Sequence, residues 1–300
     1  MVMKKFKSIL GRTACHIMIL SCAAFIASCE GYGFSEDCEK QNRLEFLTDW
    51  SLYKSGAEKP AEFTLYFYQK NLLEFAKTVH ADASNIAFLK GDYKILACNN
   101  APGIILKNMD DYQMASASLF TTVIDGVQWM EQPSMFVLDN DSKVENMKEG
   151  DGLTIAPRNV LSEFSFSLNI KNYTSLEIRY VTGSMSGLGT KIMLASGTVV
   201  QEEHATQAFN AVASEEAPDV YKTQIYCMGF TPRMVGQKSI KKILTLEIEY
   251  FDGTCGNVSL DLSDKFDEVV SMNKVKGNFD VVITDQNVGL NLVQWSGGNE

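Results

Sequence analysis

Residues 164–170 have the sequence Phe164-Ser-Phe-Ser-Leu-Asn-Ile170, in which apolar residues alternate with serine and asparagine. Successive side chains of a β-strand point to opposite faces, so this period of two puts the apolar set on one face and the polar set on the other. One buried and one solvated face is typical of an antiparallel sheet that packs on a second sheet. The stretch therefore predicts a β-sandwich.

The same alternation recurs along the chain and extends this prediction to its whole length. The sequence has only six prolines and few stretches with a helical period. We therefore predict an all-β protein, with one helix at 202–217 and a short helical turn within 264–271. Residues 69–80 fit a strand or one helical turn equally well. The further alternating stretches are 63–68, 93–98, 176–180, 244–250 and 279–283.

A polar and acidic segment, residues 139–152, interrupts the alternating stretches. It begins like a calcium-binding loop, with Asp139 and Asp141, but has Val144 at the central glycine position and Gly150 at that of the closing glutamate. A solvated linker is the better interpretation. We predict two antiparallel β-sandwich domains in tandem, residues 44–145 and 146–300.

The amino terminus has the features of an export signal. Lys4, Lys5, Lys7 and Arg12 precede an apolar stretch, residues 14–28, that ends in small residues. The stretch is too short for a membrane-spanning helix, which needs about 20 residues. We predict a signal peptide at 1–28 and a polar, acidic tether at 29–43.

Charge and cysteine spacing exclude several ligand classes. Removing residues 1–28 changes the net charge from −10 to −14, because it removes four basic residues and no acidic ones. Such a chain repels nucleic acid, which is not expected as a partner. The remaining cysteines match no zinc-binding spacing, so no metal is expected. Cys98 and Cys227 lie in strand-like stretches and are expected as buried free thiols; a Cys227–Cys255 disulfide is left open, and Cys38 is unassigned.

The search for catalytic residues favours a protein that is not an enzyme and has no cofactor. His80 and His204 both lie among polar residues, which indicates surface positions rather than a catalytic triad. The segment Gly183-Ser-Met-Ser-Gly187 lacks the spacing of a hydrolase elbow and is interpreted as a bend at a strand end. The tryptophans Trp50, Trp129 and Trp295 are expected in core or interface packing, with stacking on sugar as the alternative.

Several segments together resemble one family. Ile26-Ala27-Ser28-Cys29 resembles the lipobox of bacterial lipoproteins, which implies cleavage between Ser28 and Cys29 and a diacylglycerol on the Cys29 sulfur. The chain as a whole resembles the fimbrillin-related lipoproteins of Bacteroides-like bacteria, in particular fimbrial anchor and accessory subunits. Besides the lipobox, the resemblance rests on Thr64-Leu-Tyr-Phe-Tyr68, Leu89-Lys-Gly-Asp-Tyr-Lys-Ile-Leu96, Phe164–Ile170 with Ser184-Met-Ser-Gly187, Gly277-Asn-Phe-Asp-Val281 and Trp295.

The resemblance implies two transthyretin-like sandwiches and a role in anchoring or assembling fimbria-like structures for adhesion. Assembly would proceed by strand addition, in which an extended segment of one subunit completes the sheet of its neighbour. Fimbrial subunits are the implied partners, and the Cys29 lipid attaches the protein to the outer membrane. The acidic residues Glu30, Glu36, Asp37 and Glu39 resemble surface-export signals, which favours the cell surface, with retention on the periplasmic face as the alternative.

An alternative function is a carbohydrate-binding surface lipoprotein of a polysaccharide uptake system. The two hypotheses predict different surfaces. The anchor hypothesis predicts an unpaired sheet edge or a groove of apolar pockets. The carbohydrate hypothesis predicts two or more exposed, coplanar aromatic rings.

Stalk subunits of this family lose a leader that includes a strand, by cleavage after an arginine. Here the corresponding basic residue is Arg43, and cleavage there would release a polar tether without an alternating strand. We therefore expect the mature protein to keep its lipid.

Mass spectrometry of the protein isolated from its own cells tests this expectation. The amino-terminal peptide should begin at Cys29 and carry acyl chains, and Cys29→Ser should leave the signal peptide uncleaved and abolish lipid labelling. A mature protein that begins at Leu44 and lacks lipid would contradict the prediction.

Overall fold

The chain forms β-strands through most of its described length. The computed structural model describes residues 42–53, 58–83, 85–88, 91–145, 152–230, 240–268 and 274–298. The strands up to residue 159 are β1 (Asn42–Thr48), β2 (Glu62–Gln69), β3 (Leu72–His80), β4 (Asn85–Phe88), β5 (Tyr93–Cys98), β6 (Ile104–Lys107), β7 (Ser116–Leu119), β8 (Thr121–Ile124), β9 (Val127–Met130), β10 (Val137–Asp139), β11 (Lys143–Val144), β12 (Gly152–Ile155) and β13 (Arg158–Asn159).

Longer strands make up the rest of the chain. They are β14 (Ser162–Asn172), β15 (Ile178–Gly189), β16 (Lys191–Met193), β17 (Thr198–Val199), β18 (His204–Ala213), β19 (Val220–Cys227), β20 (Gly229–Phe230), β21 (Ile243–Tyr250), β22 (Cys255–Asp261), β23 (Lys274–Ile283) and β24 (Val288–Gly298). The described helices are a 3-10 turn at Trp50–Leu52 and one α-helix, α1 (Ser263–Asp267).

The predicted all-β class is confirmed, and the predicted helix at 202–217 is wrong. Residues 204–213 form β18, in which Ala205, Gln207, Phe209 and Ala211 are buried at every second position. The alanine and glutamate content favours a helix locally, but pairing with β15 and β19 and the period-two burial decide for a strand. The expected short helix is present as α1, and the ambiguous segment 69–80 holds the turn at Lys70-Asn71 followed by the strand β3.

The C-terminal strands form one continuous sheet path in the order β22, β21, β15, β18, β19, β14, β23, β24. β14 lies between β19, which runs antiparallel to it, and β23, which runs parallel. As predicted, Phe164, Phe166, Leu168 and Ile170 are buried, each no more than 5% exposed. Their alternation with half-buried polar residues gives the sheet one core face and one outer face.

The N-terminal strands form smaller sheets. One has the order β13, β10, β5, β2, β3, and another has the order β17, β16, β7, β6. The apolar face predicted for β2 is confirmed, because Phe63, Leu65 and Phe67 are each no more than 1% exposed. β1 pairs in parallel with β12, so the first strand is held by one that follows it by more than a hundred residues.

Strands on the two sides of residue 145 pair with each other. β10 pairs with β13, β7 with β16, and β9 with β18. Residues 43–86 and 90–300 form one compact unit. The boundary predicted at 145/146 thus separates hydrogen-bonded strands, and the division into two transthyretin-like sandwich domains stays a prediction.

The segment expected to be a solvated linker begins with two buried polar residues, Asp139 and Asn140. The Asp139 carboxylate accepts hydrogen bonds from the backbone N–H groups of Asp141, Ser142 and Ala156, at 2.9, 3.2 and 2.7 Å, and from the Ser142 hydroxyl at 2.7 Å. The linker interpretation is therefore wrong for these residues. Through the bond to Ala156, Asp139 connects the end of β10 to the chain that follows β12.

The glycines of 183–189 belong to a bulged strand rather than to a bend at a strand end. The pairing of β15 with β18 shifts register between Met185 and Leu188, and Gly187 has a φ of +72° within this bulge. At Gly183, a Cβ atom would collide with the Thr245 carbonyl and the Phe209 ring. Close packing across β15 therefore requires glycine at 183.

The expectation of buried free thiols is confirmed for Cys98 and Cys227, and burial raises the pKa of both thiols to about 12. The Cys227–Cys255 disulfide is not formed. Cys227 is buried, whereas Cys255 is exposed at the start of β22, and both are free. Cys38 lies outside the described residues.

The Asp139 contacts predict a large effect of a small substitution. Asp139→Asn keeps the shape of the side chain but removes its charge and replaces one carboxylate oxygen by an NH₂ group, which cannot accept, so the donors on that oxygen lose their partner. The free energy of unfolding in urea should fall by about 2–4 kcal/mol. Asp82→Asn is the control, since the Asp82 side chain is 93% exposed; its effect should stay within about 0.5 kcal/mol. Equal effects of the two substitutions would contradict the role of Asp139.

Candidate functional site

Edge strands are the first feature of interest, because they carry backbone N–H and C=O groups without a partner strand. The two longest edge strands in the described part of the chain are β24, with eleven residues, and β3, with nine. β24 pairs with β23 and ends the C-terminal sheet path, while β3 pairs with β2 and ends an N-terminal sheet. Each edge is long enough to accept an extended segment of another chain.

The two edges differ in their chemical protection. Natural edge strands are commonly guarded by charged residues or proline, which prevent pairing with other chains. β3 carries Glu74, Lys77 and His80. β24 reads Val-Gly-Leu-Asn-Leu-Val-Gln-Trp-Ser-Gly-Gly and has neither a charged residue nor proline. β24 therefore lacks the residues that commonly prevent pairing, and we call it the open edge.

The core holds β24 in place. The indole ring of Trp295 lies 5.0 Å from the ring of Phe266 in an edge-on arrangement and 5.4 Å from that of Phe164. Leu290 is also buried, and Val288 packs against Gly256 of β22 at the start of the strand. An edge that is fixed before binding loses little conformational entropy when a partner strand is added.

A bulge divides β24 into two straight segments. The register with β23 shifts between Asn278 and Phe279, which leaves Val293 as the extra residue, with 63% of its surface exposed. Trp295 follows two residues later, on the core side. Val293 is thus an apolar side chain that points to solvent from the middle of the open edge.

The hairpin of β8 and β9 is a second exposed apolar feature. Its two-residue turn, Asp125-Gly126, has positive φ angles of 51° and 78°, as required by the tight turns that match strand twist. Val123, Ile124 and Val127 around this turn are 71, 56 and 42% exposed. Sequence analysis missed this hairpin, although an Asp-Gly pair between apolar residues is a strong hairpin signal.

Among the described residues, the ring pairs in contact include no exposed, near-parallel pair of the kind that the carbohydrate hypothesis predicts. The one near-parallel ring pair in the described ranges is Phe67–Phe75, at 4.3 Å and 13°, and Phe67 is fully buried. Trp295 packs in the core as expected, Trp50 packs against Tyr53 and Phe63, and Trp129 is half-buried in β9.

The histidines lie on separate strands. His80, at the end of β3, is exposed, with its Nε2 atom 3.2 Å from a carboxylate oxygen of Glu62. His204 begins β18 opposite Gly189 and is half-buried. Within the described ranges, no cluster of histidine, cysteine and acidic side chains has the geometry of a metal site. No described helix is long and apolar enough to span a membrane. Ser28 and Cys29 lie outside the described residues.

One known protein family matches the chain. The profile of a family described as a domain of unknown function, DUF5119, matches residues 28–210. The chain belongs to this family. The DUF5119 match covers the N-terminal sheets, β14, β15 and most of β18. No protein with a curated description matches the chain.

Solved structures share the fold of this DUF5119 protein. A candidate adhesin from Bacteroides ovatus aligns with a TM-score of 0.57 and 15% identity, over 83% of this chain and 92% of that one. A candidate polysaccharide-binding protein from Bacteroides thetaiotaomicron (DUF1812) aligns with a TM-score of 0.51 and 9% identity, over 84% of this chain and 98% of that one. The fimbrial anchor protein Mfa2 from Porphyromonas gingivalis aligns with a TM-score of 0.48 and 12% identity, over 86% of this chain and 96% of that one. The predicted resemblance to surface proteins of Bacteroides-like bacteria is confirmed at the level of the fold.

The packing of Trp295 predicts that it maintains the open edge. Trp295→Ala removes the ring between Phe164 and Phe266, and should lower the free energy of unfolding by about 3 kcal/mol and speed amide exchange along β24. Trp295→Phe, which keeps an aromatic ring, should retain most of the protection. If Trp295→Ala left amide exchange in β24 unchanged, the ring would not hold the strand.

Proposed function

We propose that this protein is a lipid-anchored protein of the bacterial cell surface and an anchor or accessory subunit of fimbria-like structures. In this role the lipid on Cys29 attaches the protein to the outer membrane. The outer edge of β24 receives an extended segment of a neighbouring subunit, so that adhesion or assembly proceeds by strand addition.

The observation that carries the proposal is the open edge of β24. Its eleven residues contain no charge and no proline, and it ends the sheet path of the described residues. Added strands gain affinity from backbone hydrogen bonds and register from alternate side chains. An exposed edge of this length and composition would promote aggregation unless it had a partner.

The fold likeness and the amino-terminal sequence add separate support. The chain shares its fold with a candidate adhesin, which agrees with a role at the cell surface. The predicted lipid gives lasting attachment, since each buried CH₂ contributes about 0.8 kcal/mol. Residues 29–41 of the predicted acidic tether precede β1 and would separate the lipid from this strand.

A second candidate function, binding of carbohydrate at the cell surface, is favoured by a different feature. The outer face of β19, β14 and β23 carries a polar depression of about 390 Å³. The fold likeness to a candidate polysaccharide-binding protein agrees with this function. No exposed pair of near-parallel aromatic rings is in contact among the described residues.

Crosslinking in the native cells tests the first function. A photo-reactive amino acid at Val293, in the lipidated protein, should crosslink to a fimbrial subunit through a strand-like segment of that subunit. Val293→Lys adds a charge to the open edge and should reduce the co-purified subunit about tenfold or more, a loss of about 1.4 kcal/mol.

Leu72→Lys on β3 is the matched control, since Leu72 and Val293 are 62 and 63% exposed and both lie on edge strands. It should leave recovery of the subunit unchanged. Equal losses from both substitutions, or recovery of glycan-uptake receptors in place of fimbrial subunits, would contradict strand addition at β24.

A further inference from the structure

The polar depression on the outer face of the C-terminal sheet has no part in strand addition at β24. It spans three neighbouring strands, β19, β14 and β23, and its volume of about 390 Å³ is within the common range of ligand pockets, about 300–1,000 Å³. The polar side chains that line it and carry the argument below are Ser165, Ser167, Lys222, Gln224, Lys276 and Asn278.

Strand register arranges these side chains as a grid. One row across the strands is Gln224, Ser165 and Lys276, and the next row is Lys222, Ser167 and Asn278. Adjacent strands are about 4.8 Å apart, and side chains on the same face of one strand are about 6.7 Å apart. The two lysines therefore occupy opposite corners of the grid, with hydroxyl and amide groups between and beside them.

The charges of the grid are not neutralised by the protein. Lys222 and Lys276 are exposed and make no ion pair with any residue that the structure describes. The nearest carboxylate on β23, Asp280, is already paired with Lys171 at 2.7 Å. In a chain of net charge −10, two free ammonium groups on one depression form a local site for an anion.

The neighbouring carboxylate on β14 is also engaged. Glu163 accepts a hydrogen bond from the Ser165 hydroxyl at 2.6 Å, and the Gln224 side-chain amide reaches the same hydroxyl at 3.4 Å. The Asn278 amide donates to Gln294 at 3.0 Å, which leaves its own oxygen free to accept. The Ser167 hydroxyl, at the centre of the second row, has no hydrogen-bond partner among the described residues.

These groups match one ligand chemistry. Sugar hydroxyls both donate and accept hydrogen bonds and suit a grid of serine and amide groups, whereas the lysines require negative charge. A neutral sugar would leave both ammonium groups unpaired, and the one aromatic ring among the described lining residues, Phe166, is buried with the core face of β14 and not available for stacking. An acidic peptide would supply carboxylates without an array of hydroxyl groups.

We propose that this depression binds an acidic saccharide of the uronate type, with carboxylates on Lys222 and Lys276 and ring hydroxyls on Ser167, Gln224 and Asn278. The proposal gives the second candidate function a site and a ligand class. It does not depend on the anchor role, because β24 binds through its edge and the depression lies on the sheet face.

Binding of polygalacturonate to the full lipidated protein in detergent tests the proposal by calorimetry. Polygalacturonate should bind saturably, neutral dextran should not bind, and poly-L-glutamate should bind at least tenfold more weakly. The double variant Lys222→Gln/Lys276→Gln should weaken polygalacturonate binding about tenfold or more. Raising the salt concentration from 50 to 500 mM should also weaken it, because exposed charges are screened.

A second double variant controls for net charge. Lys107→Gln/Lys143→Gln removes two exposed lysines from β6 and β11 and should leave binding unchanged. Thermal unfolding of all variants establishes that each is folded. The proposal is overturned if polygalacturonate does not bind, if poly-L-glutamate binds as tightly, or if the control variant loses as much affinity as the site variant.

Discussion

Burial of one face of β14 is the constraint on which the described structure depends. Its rings receive contacts from three other elements: Phe166 packs on Phe209 of β18 at 4.7 Å, and Phe164 packs on Phe266 of α1 at 5.3 Å and on Trp295 of β24 at 5.4 Å. A shift of one residue in register would turn these rings to solvent and the serines to the core. The same alternation that builds the core therefore places Ser165 and Ser167 on the outer face, in the polar depression.

Both candidate sites follow from this one strand. Phe164 fixes Trp295, and Trp295 holds β24 as an ordered edge. The outward side chains of β14 provide the middle column of the grid that Lys222 and Lys276 complete. A partner strand at the edge and a saccharide on the face would occupy different surfaces of the same sheet, so an adhesive subunit is able to carry both. An uncharged edge at β24 would promote aggregation of a free protein, whereas in a protein that meets its partner at the membrane it would allow pairing with the partner strand.

Local alternation made the class of fold predictable, since Phe63, Leu65 and Phe67, like the apolar residues of β14, are buried where a period of two puts them. The segment 202–217 misled prediction because its alanine and glutamate content favours a helix, whereas its environment between β15 and β19 selects a strand. The buried Asp139 resembled a linker residue because the partner that joins it to the end of β12, Ala156, lies 17 residues beyond it in sequence. Which strands pair with each other depends on distant parts of the chain. Alternation alone therefore predicts where the strands lie in the sequence, but not their order in the sheet.

The candidate sites were less accessible to sequence analysis for the same reason. An unpaired sheet edge or a groove of apolar pockets was expected, but the identity of the edge depends on β24 being last in the sheet path. The lysines of the depression are more than fifty residues apart in sequence, and β14 brings them onto one face. Cys29, in contrast, was predicted from its local sequence, and its lipid stays a prediction.

Amide hydrogen exchange on the native protein, free and bound to the fimbrial subunit proposed as its partner, tests the central claim most directly. Strand addition predicts that amides of Leu290–Gly298 become protected when the partner binds, while those of β3 and of the β8–β9 hairpin exchange as before. Unchanged exchange along β24, with new protection at β3 or at the hairpin, would contradict the account.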